Sequence, residues 1–187
     1  MNKKIKNNIK KKMLRLCEQE HKTKIWQNHL TKTVYYSKVL AKKLNKDEEI
    51  CEIAAWIHDV AKMQGQKKDH HIKGAKDAKK ILEKEGYDTK KIKKIQAMIK
   101  THSSDEKYPP KTTEEKILAS ADALAWLEDF LLFVNGLKNK KLTNKEIKKI
   151  LKEKIKVAKN KTNLLEEAKE IAKPRISAIE YMIKNIK

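Results

Sequence analysis

Residues 54–63 read AAWIHDVAKM. An apolar helical run carries a histidine and an aspartate at its centre, and a lysine three residues after the aspartate. Ile50, Ile53, Ala54, Ile57 and Ala61 recur at helical spacing and define an inward stripe. His58 stands four residues after Ala54 and next to Ile57, so it shares that stripe. Asp59 lies about 100° further round the helix, at the edge of the stripe. A carboxylate placed there is costly unless a cation pairs with it. Lys62 follows Asp59 by three residues and His58 by four, so all three side chains reach one region. On their own they describe a local Asp–Lys pair beside a core histidine. What decides between that and a site is whether other segments aim partners at the same place.

Those segments are helical. The chain has 187 residues with only four glycines and three prolines, so turns are few and long helices are favoured. Apolar residues at Ile5, Ile9, Met13, Leu14 and Leu16 predict an N-terminal helix over roughly residues 3–20. A second helix holds HLTKTVYYSKVLAKKL, with Leu30, Val34, Leu40 and Leu44 inward. Asp47 caps EEICEIAAWIHDVAKM, whose first turn carries two acids where the helix dipole favours them. MQGQKK is a turn. Asp69 starts HHIKGAKDAKKILEKE, which ends at Gly86, a C′ glycine. Asp88 caps TKKIKKIQAMIKTH, and the prolines of SSDEKYPPK forbid helix in the loop that follows.

Thr112 with Glu115 makes a capping box for KILASADALAWLEDFLLFV, which Asn135-Gly136 ends. Thr143 with Glu146 repeats the box, and a last helix starts near Asn163, with Pro174 kinking or restarting it. No alternating pattern is long enough for a sheet, so the fold class is all-α. The expected organisation is an N-terminal basic helix over 1–24, a helical core over 25–134 and a helical extension over 135–187 packed on that core.

Composition narrows the function classes. The net charge of +21 invites nucleic acid. However, of 46 basic residues only Arg15 and Arg175 are arginine, and the lysines are spread over every segment. Phosphate and base recognition favours the arginine fork, and a spread of lysine reads as a solvated surface, so specific nucleic-acid binding is disfavoured. Cys17 and Cys51 form no CxxC and are expected to be reduced thiols. MNKKIKNNIKKKML has no apolar stretch behind it, and no segment reaches the length of a membrane span. A cytoplasmic protein with no membrane partner is expected, and homo-oligomerisation is left open.

The histidines are not scattered. His29 opens the second predicted helix, His70 and His71 open the fourth, and His102 closes the fifth; His21 has no comparable context. Asp122 lies in KILASADALAWL among small and apolar residues, where a carboxylate is tolerated if it binds a cation inside a bundle. In chain order the candidates are His29, His58-Asp59, His70 or His71, His102 and Asp122. Imidazole and carboxylate without thiolate suit Mn, Fe, Co, Ni or Zn.

Five segments in this order resemble the HD-domain superfamily of metal-dependent phosphohydrolases. NHLTKTVYYSKVLAKKL is similar to the family's first helix, and IHDVAK to its doublet in the HDxxK form. DHHIKGAKDAKKIL is similar to a segment with a histidine four residues before Gly-Ala, which selects His70 over His71 and leaves His71 exposed and without a role. MIKTHSS and EKILASADALAWL resemble the next histidine motif and the closing aspartate motif. The resemblance spans about residues 25–133, and 135–187 resembles nothing recognisable.

The resemblance implies an HD-domain-like helical bundle in which His29, His58, Asp59 and Asp122 hold one divalent ion. It also implies a second ion, in some members, held by His70 and His102 with Asp59 as a bridge. One or two ions of Mn, Fe, Mg, Co, Ni or Zn are therefore expected. The implied reaction is hydrolysis of a phosphomonoester, phosphodiester or phosphoanhydride of a small phosphorylated substrate, a nucleotide first, by metal-activated water. Asp59 is expected to orient the water and Lys62 to contact the phosphate. Ser103 and Ser104 beside His102 read as ordinary loop caps. The GYP segment of the cyclic-dinucleotide branch is absent, and the compact arrangement is similar to small stand-alone hydrolases. Two alternatives stand beside this: a metal-holding helical module without turnover, and a basic adaptor for nucleic acid.

Overall fold

The computed structural model of the chain describes residues 2–19, 23–103, 105–140 and 142–186. His21 and Ser104 lie outside the described residues. Ten helices and no strand occur among the described residues, so the fold is all-α. In chain order they are α1 (Asn2–Gln19), α2 (Thr23–Lys43), α3 (Glu48–Ile57), α4 (Val60–Met63) and α5 (His70–Lys84). There follow α6 (Thr89–Thr101), α7 (Thr113–Glu128), α8 (Phe130–Lys138), α9 (Asn144–Thr162) and α10 (Glu166–Lys184). No helix among the described residues is long and apolar enough to cross a membrane.

The core forms where the apolar stripes of these helices meet. Ile50, Ile53, Ala54 and Ile57 of α3 are buried with Leu30 and Leu40 of α2, Met98 and Ile99 of α6, and Ile117, Leu118 and Leu124 of α7. Along α1 the buried residues are Ile5, Ile9, Met13 and Cys17, a four-residue repeat that lays one face of a basic helix on the core. Cys17 and Cys51 are free and buried. The predicted starts of three helices carry the expected chemistry. Asp47 accepts from the backbone N–H of Glu49 and Ile50, Asp88 from that of Lys91, and Thr143 with Glu146 forms a full capping box.

Elsewhere the structure departs from the sequence reading. The helix expected to run through residue 63 is broken at His58 and Asp59, with α4 starting afresh behind them. No glycine or proline causes the break; Asp59 leaves helical geometry at φ −103°, ψ 16°. The helix expected to end at Asn135-Gly136 is divided at Asp129, and α8 runs through both residues to Lys138. Lys32 bridges to Asp129, and the Tyr36 hydroxyl donates to Glu128, so α2 holds the chain at that division. Arg175 of α10 donates to the Tyr36 hydroxyl at 2.9 Å and ties the C-terminal helix to the same point.

Smaller corrections follow the same pattern. α2 starts at Thr23, so His29 lies well inside it and does not open it. Thr112 caps α7, but the Glu115 carboxylate accepts from Lys111 N–H and not from the cap residue, so the box is only half formed. α10 starts at Glu166, three residues after Asn163, and is continuous through Pro174.

Candidate metal centre

Five segments deliver the ionisable groups to one interior point. α2 supplies His29, the α3–α4 break His58 and Asp59, the start of α5 His70, the end of α6 His102 and the middle of α7 Asp122. The break matters because it turns Asp59 out of the helical register. His58 and Asp59 are essentially fully buried. Gly74 packs α5 behind them: a methyl group there would stand 3.4 Å from the His58 carbonyl oxygen, in ordinary contact, so a larger side chain would have to push the helices apart.

Two groups of donor atoms result, each within 4.8 Å of one another: His29, His58 and Asp59, and Asp59, His70 and His102. Asp59 belongs to both. Its Oδ2 lies 3.6 Å from His58 Nε2, and its Oδ1 lies 3.5 Å from His70 Nε2 and 3.6 Å from His102 Nε2. Asp122 joins the first group through Oδ1, which is 3.1 Å from His29 Nε2 and 3.8 Å from His58 Nε2. Such spacing suits donors to a common ion, since each sits about 2.0–2.2 Å from a metal.

The ring nitrogens are oriented in a way that suits such donors. Nδ1 of His58 faces Ala55 O at 2.7 Å, Nδ1 of His102 faces Ile99 O at 2.6 Å, and Nδ1 of His70 faces Lys67 O at 3.2 Å. A carbonyl can only accept, so each Nδ1 carries the proton and each Nε2 presents a lone pair to the interior. His58 Nε2 and Asp59 Oδ1 are buried with no hydrogen-bond partner. Orphaned acceptors of this kind are costly unless a cation satisfies them. The residues therefore fit one or two divalent ions.

Electrostatics agree. Burial pushes the His58 imidazole down to about 4, so it is a neutral lone-pair donor near pH 7. Burial also lowers His70, against the pull of Asp59. Burial opposes ionisation of Asp59, yet the Lys62 ammonium 2.9 Å from Oδ2 holds its carboxyl well below the usual range. Asp122 is likewise held down against burial, first by Lys161. Burial lowers Lys62, but Asp59 and Asp122 together outweigh it and leave the ammonium raised.

Lys161 is a member that the sequence did not reveal. Its Nζ lies 2.7 Å from Asp122 Oδ2, and Ser120 of α7 donates to the Lys161 carbonyl at 2.8 Å, seating α9 against the ligand helix. A cavity of about 220 Å³ opens over the ligands between Lys62, Lys154, Lys161 and Trp126. The available signal was helical spacing: Lys154 and Lys161 are seven apart and bracket the buried Ala158. His71 also corrects the sequence reading, because it is buried. Its Nε2 is 3.4 Å from Asp105 Oδ2 and its ring lies against Tyr108, away from both ligand groups. Ser103 lines the cavity and accepts from Asp105 N–H, as a loop cap does.

Residues 26–127 match the HD domain family, and the chain belongs to it. A tRNA (cytidine(56)-2'-O)-methyltransferase from Thermoplasma volcanium is 32% identical over 107 residues, covering 52% of this chain. The match spans only 30% of that curated relative's length. The crystal structure of a predicted HD superfamily hydrolase from an uncultured Thermotogales bacterium is similar in fold, with a TM-score of 0.63 at 18% identity. That likeness covers 97% of this chain and 88% of the other, so it continues past the family match into α9 and α10.

Proposed function

We propose that the chain is a cytoplasmic metal-dependent phosphohydrolase that cleaves a phosphomonoester, phosphodiester or phosphoanhydride bond of a small phosphorylated substrate, a nucleotide first. The observation that carries this is Asp59, which stands in both ligand groups with its Oδ1 buried and unpartnered. His29, His58, Asp59 and Asp122 are assigned to one ion, and Asp59, His70 and His102 to a second. Residues 25–134 carry these ligands, with 1–24 and 135–187 as flanking helical segments. Divalent ions in such a site supply polarisation of a phosphoryl oxygen and acidification of water.

The chain's own groups do the rest. Asp59 accepts a hydrogen bond from the attacking water and directs its oxygen at phosphorus. Lys62 donates to a phosphoryl oxygen and offsets the charge that grows there. The water oxygen bonds to phosphorus and gives up one proton to solvent, the bond to the leaving oxygen breaks, and that oxygen departs as an anion or takes a proton from solvent. Burial disfavours the imidazolium form of His58 and His70.

A panel of nucleotides and simple phosphoesters, run across divalent metals with metal analysis of the purified protein, tests the proposal. Metal-dependent phosphate release that Asp59→Ala abolishes in a folded protein is the expected result. No turnover of any substrate by the metal-loaded protein would overturn it, and RNA binding with a steep salt dependence would favour the adaptor.

A further inference from the structure

A second cavity, of about 370 Å³, adjoins the one over the ligands, and both are lined by His29, Lys62, Trp126 and Lys154. It leads from Asp59 and Lys62 to an apolar wall of Leu132, Phe133 and Leu137 on α8. Trp126 stands edge-on to Phe133, with ring centroids 5.7 Å apart. The cations round the two cavities differ in what they already hold. Lys62 is bonded to Asp59 and Lys161 to Asp122. Lys154 has its Nζ 5.9 Å from the Phe133 ring centroid, and among the described residues no carboxylate lies within salt-bridge distance of it. Lys140 also lines the second cavity with no carboxylate in salt-bridge distance among the described residues, but of these two lysines Lys154 is the one that borders both cavities. The wall and Lys154 both come from residues beyond the family match at 26–127.

We propose that Lys154 binds phosphate groups beyond the one at the metal centre, and that the α8 chamber takes an apolar or aromatic end of the same molecule. The preferred ligand is then an organic polyphosphate. Lys62 faces the ligands and is already bonded to Asp59, whereas Lys154 lines both cavities and so borders the path that a longer anionic chain would take from the ligands towards the α8 wall. An apolar chamber of this size, next to fixed charges, holds one ring system. This deepens the phosphohydrolase reading and rests on it for the position of the first phosphate.

The test is a calorimetric comparison on the Mn²⁺-loaded protein of inorganic orthophosphate, inorganic tripolyphosphate and adenosine 5′-(β,γ-imido)triphosphate. The wild-type chain is expected to bind tripolyphosphate at least about tenfold more tightly than orthophosphate, and Lys154→Met to reduce that ratio to about twofold with bound Mn²⁺ unchanged. Lys152→Met, on an exposed face of α9 away from both cavities, should keep the ratio. The imidotriphosphate should bind about fivefold or more tightly than tripolyphosphate, an advantage that Leu132→Asn removes. The proposal is overturned if the wild type shows neither preference, if Lys154→Met keeps the first, or if Lys152→Met loses it equally. These ratios are read from binding. Ratios that hold in a protein without turnover would support the anion site while counting against the phosphohydrolase reading alone.

Discussion

Lys161 Nζ lies 2.7 Å from Asp122 Oδ2 and joins residues 39 apart in the sequence. The other oxygen of that carboxylate faces His29 and His58. The lysine thus occupies one oxygen and leaves the second to the imidazole side. It stabilises a largely shielded carboxylate when no ion is present, and it repels a cation that approaches.

Replacing Lys161 separates those two effects. Lys161→Met is expected to lower the melting temperature of the metal-free protein by roughly 2–8 °C, because Asp122 loses its partner. The same change should tighten binding of the first divalent ion by about tenfold, through loss of repulsion. Thermal melts in EDTA and calorimetric titration with Mn²⁺ measure the two. Weaker metal binding in the variant would show that the lysine serves to hold the carboxylate in position.

The shared carboxylate makes ligand substitutions unequal. His102→Ala removes a donor from the second group only, so bound Mn²⁺ should fall from two ions per chain to one. Asp59→Asn touches both groups and should leave less than one. Metal content after dialysis distinguishes these outcomes. Equal losses in both variants would mean that the donors form one site.

Much of this centre was legible in the sequence, because six chemically odd positions lie in or at the ends of helices whose apolar stripes are clear. His58 and Asp59 interrupt one stripe and Asp122 another. The two helix breaks were not legible. The apolar pattern of KILASADALAWLEDFLLFV passes over Asp129 without interruption, and the break there is fixed by Lys32 and Tyr36 from α2. Lys154 and Lys161 were hidden for a different reason. In a chain so rich in lysine no single one stands out, and these face the ligands only because α9 docks on α7. His71 was read as exposed, since its burial depends on Asp105 and Tyr108 in a loop whose course no periodicity sets.

Gly74 links packing to the site. A side chain there would meet the His58 carbonyl oxygen at 3.4 Å and Ile99 Cγ2 at 3.5 Å. Gly74→Ala needs only a small adjustment and should keep both ions. Gly74→Leu must push α5 away from the α3–α4 break, carrying His70 with it. A loss of about 1–3 kcal/mol in stability and of the second ion is expected, read by urea unfolding and metal analysis. Retention of two ions in Gly74→Leu would show that the start of α5 holds its place without this contact.

The buried histidine also sets a pH dependence for the metal-free protein. His58 titrates near its ordinary 6.5 when unfolded but at about 4 when folded, because burial disfavours the imidazolium. Between these values the unfolded chain binds the extra proton and the folded chain does not. Above pH 6.5 His58 is neutral in both states and stability is at its plateau. As pH falls from 6.5 towards 4 stability drops, by at most about 1.4 kcal/mol per pH unit and on the order of 3 kcal/mol in all. Asp59 and Asp122, both held well below the ordinary carboxylate range, lose their contribution at lower pH still, so the two windows are separate. Urea unfolding in EDTA at stepped pH should show the slope, and His58→Gln should reduce it above pH 4, leaving the part that His70 and His71, also lowered by burial, contribute. A metal-free wild type with constant stability from pH 6.5 to 4.5 would mean that the imidazole is hydrated in the absence of ions, in conflict with its complete burial.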